Sequence, residues 1–173
     1  MASDLVIVGP IRVPFQRQQS GSAKQISKAD AKSFWDDEEA ATVARKQGCY
    51  VFALQAAKGF TPWYIGKATK SMAQECFEFH KLQHYNEVLF KGYKGTPVMF
   101  FVVLDGTKKK VPKGTIDEME SFFIQTAVMK NPDLKNMQKT GLPSWTVKGV
   151  VRGSKGKRPI NATKFRKMIG LNG

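Results

Sequence analysis

Apolar residues fall into four short runs, each bounded by glycine, proline or polar residues, and runs of this length predict β-strands. The runs cover residues 5–8, 49–54, 63–65 and 97–104. The run at 97–104 is continuously apolar, which predicts a central strand buried on both faces. The run at 5–8 ends at Gly9-Pro10 and predicts an edge strand. The second and third strands are joined by a connector containing Gly59 and Pro62, so we expect them to form a hairpin.

Helical spacing predicts helices at 34–46, from 72 to about 89, at 116–130 and at 163–169. Ser33 with Asp36 resembles a capping box, and the acidic residues 36–39 suit the positive end of a helix dipole. The alternative for this acidic cluster is a metal site. Thr115 is the expected N-cap of the helix at 116–130, and Pro132 is expected to end it.

The element order is strand, helix, two strands, helix, strand, helix and a basic segment, in which residues 145–151 are predicted as a further strand. This order predicts an α/β fold with a small mixed central sheet flanked by helices. We expect an N-terminal extension, residues 1–46, packed on a core domain, residues 47–137. Residues 138–173 are expected to form a basic C-terminal extension.

The positive charge of the chain indicates which kind of partner it binds. The net charge is +14, and residues 134–173 contain ten Lys and Arg but no Asp or Glu, so this segment supplies +10. Such a one-sided basic segment favours a polyanionic partner, most often nucleic acid. The alternative is a basic segment that only keeps the protein soluble.

Several features argue against a membrane or secreted protein. The longest apolar run, 98–104, is far shorter than a membrane span, and residues 1–9 lack the pattern of a signal peptide. The chain has two cysteines, which implies neither a disulfide scaffold nor a paired-cysteine metal site. We therefore expect a cytoplasmic protein with no membrane partner.

Glu120 is the most informative single residue of the helix predicted at 116–130. The spacing of the apolar residues places Glu120 on the inward face, and a carboxylate there must be paired or bound to a metal. One interpretation is a ligand for Mg²⁺, which takes hard oxygen donors. The other is a Glu at the edge of the apolar stripe that reaches solvent or pairs with Lys or Arg. The inward face is formed by Ile116, Met119, Phe123, Ile124 and Ala127.

Two tripeptides with a Gly and a Tyr lie on the predicted hairpin. The first is 48–50, Gly-Cys-Tyr, and the second is 64–66, Tyr-Ile-Gly. Tyr50 and Tyr64 are expected near the same end of the hairpin, and an alternative is that both are ordinary half-buried sheet tyrosines. The pair of tripeptides resembles the motif of the GIY-YIG nuclease family, with Cys49 where Ile is usual. The resemblance covers residues 48–136.

The resemblance implies an endonuclease that hydrolyses DNA phosphodiester bonds and depends on Mg²⁺ or Mn²⁺. In that family the counterpart of Tyr50 is the general base and that of Tyr64 holds the water or phosphate. Glu120 matches the sole protein ligand of the metal. Lys67 and Asn136 would support catalysis, and Gly48 and Gly66 would allow close approach of the backbone.

One position departs from the family. Gln74 stands where the family has an Arg that grips the scissile phosphate, and an amide carries no charge for this purpose. The candidate substitutes for this Arg are Lys67, Lys70, Lys81, His80 and His84, and the first two are nearest the motif. For the two histidines, four residues apart, the alternatives are a role at the surface or core edge and a metal-binding pair.

We expect further basic residues to contact the phosphate backbone and to position a duplex rather than to read its bases. With Trp145, the candidate nucleic-acid-binding residues are Lys70, His80, Lys81, His84, Lys148, Arg152, Lys155, Lys157 and Arg158. Two alternatives stay open for the whole chain. One is a GIY-YIG-like module that binds nucleic acid but no longer cuts it, and the other is an unrelated RNA-binding α/β protein.

Overall fold

The computed structural model describes residues 5–18, 23–57, 59–106, 110–136 and 160–169. The strands in chain order are β1 (Leu5–Arg12), β2 (Gln16–Arg17), β3 (Lys24–Gln25), β4 (Gly48–Ala56), β5 (Gly59–Ala68) and β6 (Thr96–Leu104). The helices are α1 (Lys28–Ser33), α2 (Glu38–Val43), α3 (Met72–Glu75), α4 (Phe79–Phe90), α5 (Lys113–Lys130) and α6 (Ile160–Met168).

Four strands form the central sheet in the order β1-β6-β4-β5, and each neighbouring pair is antiparallel. The prediction of an α/β fold is confirmed, whereas the prediction of a mixed sheet was wrong. The reason lies in the connection after β5: it carries α3 and α4 and returns the chain beside β4 in the antiparallel direction. Strand β6 is an interior strand and β1 an edge strand, as expected.

The β4–β5 hairpin is longer than the sequence pattern indicated, because its strands continue through most of the predicted loop. The register shifts between Phe52 and Ala53, whose partners are Tyr64 and Pro62, so Trp63 is an extra residue on β5. A bulge of this kind, on an edge strand, accommodates a proline that has no N–H to donate. Beyond the bulge, the register places Tyr50 directly opposite Gly66.

The prediction of a single helix at 34–46 was wrong, because a 3₁₀ turn at Phe34–Asp36 opens this region and a new helix starts only at the cap formed by Asp37. Ser27 and Asp30 form a capping box at the start of α1, and a 3₁₀ turn at Phe34–Asp36 follows the helix. The Asp37 side chain accepts hydrogen bonds from the backbone N–H groups of residues 39 and 40 and caps α2. The acidic cluster therefore serves as a helix start.

The remaining helices also differ at their ends from the predictions. The helix expected from residue 72 is interrupted at 76–78, which separates α3 from α4. Helix α5 begins three residues earlier than residue 116, with Pro112 rather than Thr115 at the N-cap. The predicted strand at 145–151 lies outside the described residues. In the described part of the chain, no helix is long and apolar enough to cross a membrane.

The two faces of the sheet carry separate parts of the core. On one face, Tyr50 and Phe52 pack against α4 and the N-terminal segment, which contributes Ile11 and Phe34 to the same cluster. On the other face, Cys49 and Ile65 pack against α5. Side chains of a strand alternate between faces, so adjacent residues of the two tripeptides belong to different layers.

Candidate active site on the two faces of the hairpin

Gly66 leaves the space that the ring of Tyr50 occupies. A Cβ atom at Gly66 would lie 2.3 Å from Cζ and 2.4 Å from Oη of Tyr50. Because these two residues are register partners, the two tripeptides fit together only if the second ends in glycine. Glycine is required at position 48 for a different reason. Its φ is +148°, and a Cβ atom there would lie 2.1 Å from the carbonyl oxygen of Val102.

Tyr50 is sealed inside the protein. Its side chain is fully buried, and its hydroxyl has no hydrogen-bond partner among the described residues. Burial, and next the neighbouring Tyr85 hydroxyl, raise the pKa of Tyr50 well above its ordinary value. A general base must reach the water and lose its own proton, and this placement favours neither. The assignment of Tyr50 as general base stays a prediction.

Tyr64 lies on the same face as Tyr50, with ring centroids 6.4 Å apart, and its ring also stacks on that of His84, with centroids 5.7 Å apart. Burial, followed by the charges of Glu120 and Glu78, raises the pKa of Tyr64 to about 12. The phenol therefore keeps its proton at neutral pH, and a protonated phenol is able to donate a hydrogen bond.

Glu120 is paired with Lys67, which was the alternative to metal binding. The Lys67 Nζ lies 2.9 Å from Glu120 Oε2 and 2.7 Å from Asp117 Oδ1. The hydrogen bond to Asp117 raises the pKa of Lys67, and burial opposes this. The same bond lowers the pKa of Asp117. Glu120 does lie on the inward side of α5, where its side chain is 14% exposed.

Asp117 was not singled out from the sequence. The available signal was its spacing: residues three apart on a helix lie on the same side, so Asp117 and Glu120 are neighbours. Carboxylate oxygens are the donors that Mg²⁺ prefers, and this ion usually takes only one or two protein carboxylates. The described residues hold no group of three or more His, Cys, Asp and Glu suited to a metal. The oxygens of Asp117 and Glu120 fit a Mg²⁺ site completed by water.

Tyr50 and Glu120 are not brought together. Lys67 is the register partner of Cys49, on the sheet face that carries α5, whereas Tyr50 and Tyr64 belong to the core cluster on the opposite face. The link between the two groups is electrostatic, since the charge of Glu120 acts on the Tyr64 hydroxyl.

Asn136 holds the backbone of the second tripeptide. Its Oδ1 accepts a hydrogen bond from the N–H of Ile65 at 3.2 Å, and its Nδ2 donates to the carbonyl oxygen of Ile65. This contact makes Asn136 a positioning residue for β5. Its predicted support of catalysis would act through the strand that carries Tyr64 and Lys67.

The candidate substitutes for the missing Arg occupy different environments. Gln74 is exposed on α3, where its backbone N–H is capped by Ser71. Lys70 is also exposed. His80 and His84 both lie on α4, so the helix does persist between them, and their side chains are 61% and 37% exposed.

Lys81 lies beside Tyr50. It is buried, and its Nζ lies 5.6 Å from the ring centroid of Tyr50. The ammonium donates to the carbonyl oxygen of Glu75 at 2.7 Å and pairs with Glu78 at 3.0 Å. These bonds join the end of α3 to the start of α4. Lys81 therefore has a structural role that the sequence did not indicate.

The remaining nucleic-acid-binding candidates belong to the basic C-terminal segment. Trp145, Lys148, Arg152, Lys155, Lys157 and Arg158 lie outside the described residues. Their predicted contacts with nucleic acid rest on the sequence.

Comparison of the chain with protein-family models, with curated proteins and with solved structures gives no match.

Proposed function

We propose that this protein is a GIY-YIG-type endonuclease that hydrolyses DNA phosphodiester bonds with a divalent metal held at Glu120. The observation that supports it is the position of Glu120, an inward carboxylate of α5 whose side chain meets Lys67, the residue directly after the second tripeptide. The fit of Tyr50 over Gly66 gives a physical reason for the glycine of that tripeptide.

In the proposed hydrolysis of a phosphodiester bond, the residues of the site would have different roles. A bound Mg²⁺ or Mn²⁺ would stabilise the negative charge that develops on the phosphate. Glu120 would hold the ion, and Asn136 would keep β5 in place. Tyr64, protonated at neutral pH, would donate a hydrogen bond to a phosphate oxygen or to the attacking water. Basic residues of 138–173 would hold the duplex through its phosphates.

Cleavage of supercoiled DNA in the presence of Mg²⁺, Mn²⁺ or EDTA tests this proposal. We expect nicking that needs the metal and is lost in Glu120→Gln. The matched control is Glu118→Gln, an exposed carboxylate on the same helix, which should nick like the unaltered protein. Equal nicking by both variants would rule out Glu120 as the metal ligand.

A second function is a nucleic-acid-binding module that does not cut. Two observations favour it: Gln74 brings no positive charge, and Tyr50 is sealed from water. Under this alternative no DNA tested would be nicked, and Glu120→Gln would bind DNA as tightly as the unaltered protein. Preference for RNA in a competition assay would instead favour the unrelated RNA-binding class.

Salt dependence shows whether the basic segment holds the phosphates. Replacement of Lys155, Lys157 and Arg158 by Gln should reduce the slope of log affinity against log salt by about 2 to 3. The same substitution of three exposed lysines elsewhere, Lys28, Lys32 and Lys94, is the charge-matched control. An equal loss in both triple variants would indicate a general charge effect instead.

A further inference from the structure

Two carboxylates of α5 converge on one point of the structure. Asp117 and Glu120 lie one helical turn apart, and an oxygen of each lies within hydrogen-bond distance of a single nitrogen, the Nζ of Lys67. The position between the carboxylates is therefore filled by a cation that belongs to the chain. Two convergent hard oxygen donors are also what a small divalent cation requires.

We propose that Lys67 is an internal competitor of the divalent metal, and that Asp117 is a second carboxylate ligand beside Glu120. The inference rests on the proposed function to the extent that Glu120 binds a metal. It changes the role of Lys67: the ammonium occupies the site when the metal is absent and leaves it when the metal binds.

Electrostatics makes the competition unavoidable if the metal takes the same oxygens. A Mg²⁺ ion binds oxygens at about 2.1 Å, so it would have to enter the space that the ammonium fills. Like charges at such separation repel strongly where the surroundings are partly desolvated. The metal therefore binds only after the ammonium has left its two partners.

The lysine can leave without disturbing the sheet. Its backbone is fixed by pairing with Cys49 in the β4–β5 ladder, whereas its side chain is 33% exposed. A long lysine side chain that already reaches solvent can swing its charged end into water while its stem stays on the surface. Movement of one side chain would thus open the metal site.

The test is direct measurement of Mn²⁺ binding to the full chain, by calorimetry or by electron paramagnetic resonance of the free ion. Lys67→Met keeps much of the side-chain length and removes the charge, and we expect its dissociation constant for Mn²⁺ to fall by about five- to tenfold. Lys94→Met is the matched control, since Lys94 is exposed and forms no salt bridge within the described residues. Circular dichroism spectra establish that each variant is folded.

The double variant Lys67→Met/Asp117→Asn tests the second ligand. If Asp117 binds the metal, this variant should lose most of the affinity that Lys67→Met gained. If it binds Mn²⁺ as tightly as Lys67→Met, Asp117 is no ligand and that part of the proposal is wrong.

The outcomes separate the inference from the proposed function. Measurable Mn²⁺ binding that Lys67→Met leaves unchanged or weakens would overturn the competition and leave the metal site at Glu120 in place. No binding by the unaltered protein or by any folded variant would overturn both. Binding of unchanged affinity in Glu120→Gln would place the metal elsewhere and would likewise overturn both.

Discussion

The absence of a side chain at Gly66 allows β4 and β5 to pair with the Tyr50 ring between them. The ring of Tyr50 occupies the place that a Cβ atom at position 66 would take. This ring is fully buried. A buried ring cannot move aside without disturbing the close packing around it. The sequence motif thus reflects a packing requirement as well as any chemical one.

Gly66→Ala should destabilise the protein because its methyl group would overlap the Tyr50 ring. We expect a loss of about 2 to 4 kcal/mol in the free energy of unfolding, measured by urea denaturation. Gly114→Ala is the control, because a Cβ at that helical position meets nothing within 4 Å. The control should be neutral or more stable by up to about 1 kcal/mol. Equal stability of Gly66→Ala and the unaltered protein would contradict the observed packing.

Tyr50→Phe separates the structural role of this residue from the catalytic one. Its hydroxyl is buried without a hydrogen-bond partner among the described residues, so removal should leave the free energy of unfolding unchanged or raise it by about 1 kcal/mol. A clear loss of stability would show that the hydroxyl is bonded in solution. In the nicking assay, a stable Tyr50→Phe that no longer cuts would support the general-base prediction, and one that still cuts would refute it.

At the level of elements, the chain after α5 closes the free edge of β5. Three contacts join this segment to the strand: Asn131 donates to the carbonyl oxygen of Pro62 at 2.8 Å, the Lys135 N–H donates to that of Trp63 at 2.9 Å, and Asn136 bonds Ile65. An exposed strand edge presents unpaired backbone N–H and C=O groups that can pair with another chain, and proteins usually cover it. The covering segment also fixes the strand that bears Tyr64 and Lys67.

Asn136→Ala should weaken this closure. It removes two hydrogen bonds to one residue of β5, and we expect a loss of about 1 to 3 kcal/mol in the free energy of unfolding. Asn161→Ala, at an exposed position of α6, is the comparison and should change stability by less than about 0.5 kcal/mol. A loss no larger than that of Asn161→Ala would mean that the edge does not depend on Asn136.

At the level of the whole molecule, the core around the sheet encloses weak acids in their neutral forms. Burial is the largest cause that raises the pKa of each of the residues Cys49, Cys76, Tyr50, Tyr64 and Tyr85. A raised pKa means that the folded protein holds the proton more tightly than the unfolded chain does. The stability from these groups is complete below their unfolded pKa values and is lost as the pH rises.

Tyr64 makes this pH dependence measurable, since its pKa is about 12 in the folded protein and 10.0 without the fold. Between these values the free energy of unfolding should fall by about 1.4 kcal/mol per pH unit from this residue alone. Urea denaturation from pH 8 to about 11 should therefore show a shallower decline for Tyr64→Phe. Tyr93→Phe, a more exposed tyrosine, is the comparison. Identical slopes for Tyr64→Phe and the unaltered protein would show that folding does not raise the pKa of Tyr64.

The sequence by itself determined what depends on local periodicity and composition. Alternation along a strand put Tyr50 and Phe52 on one face and Cys49 on the other, and helical spacing turned Glu120 inward. The apolar run at 97–104 identified the interior strand β6. The first two follow from repeats of two and 3.6 residues and the third from a continuous apolar run, and all three can be read from neighbours in the chain. The net charge of +14 likewise needs no fold.

Only the tertiary structure decided which residues meet across long separations. The pairing of Tyr50 with Gly66 depends on the bulge at Trp63, and the ion pair of Glu120 with Lys67 depends on the face against which α5 packs. That same packing sets Glu120 on the face opposite Tyr50. These contacts join residues far apart in the chain, and their geometry follows from strand register and layer order, which local patterns of polarity do not specify.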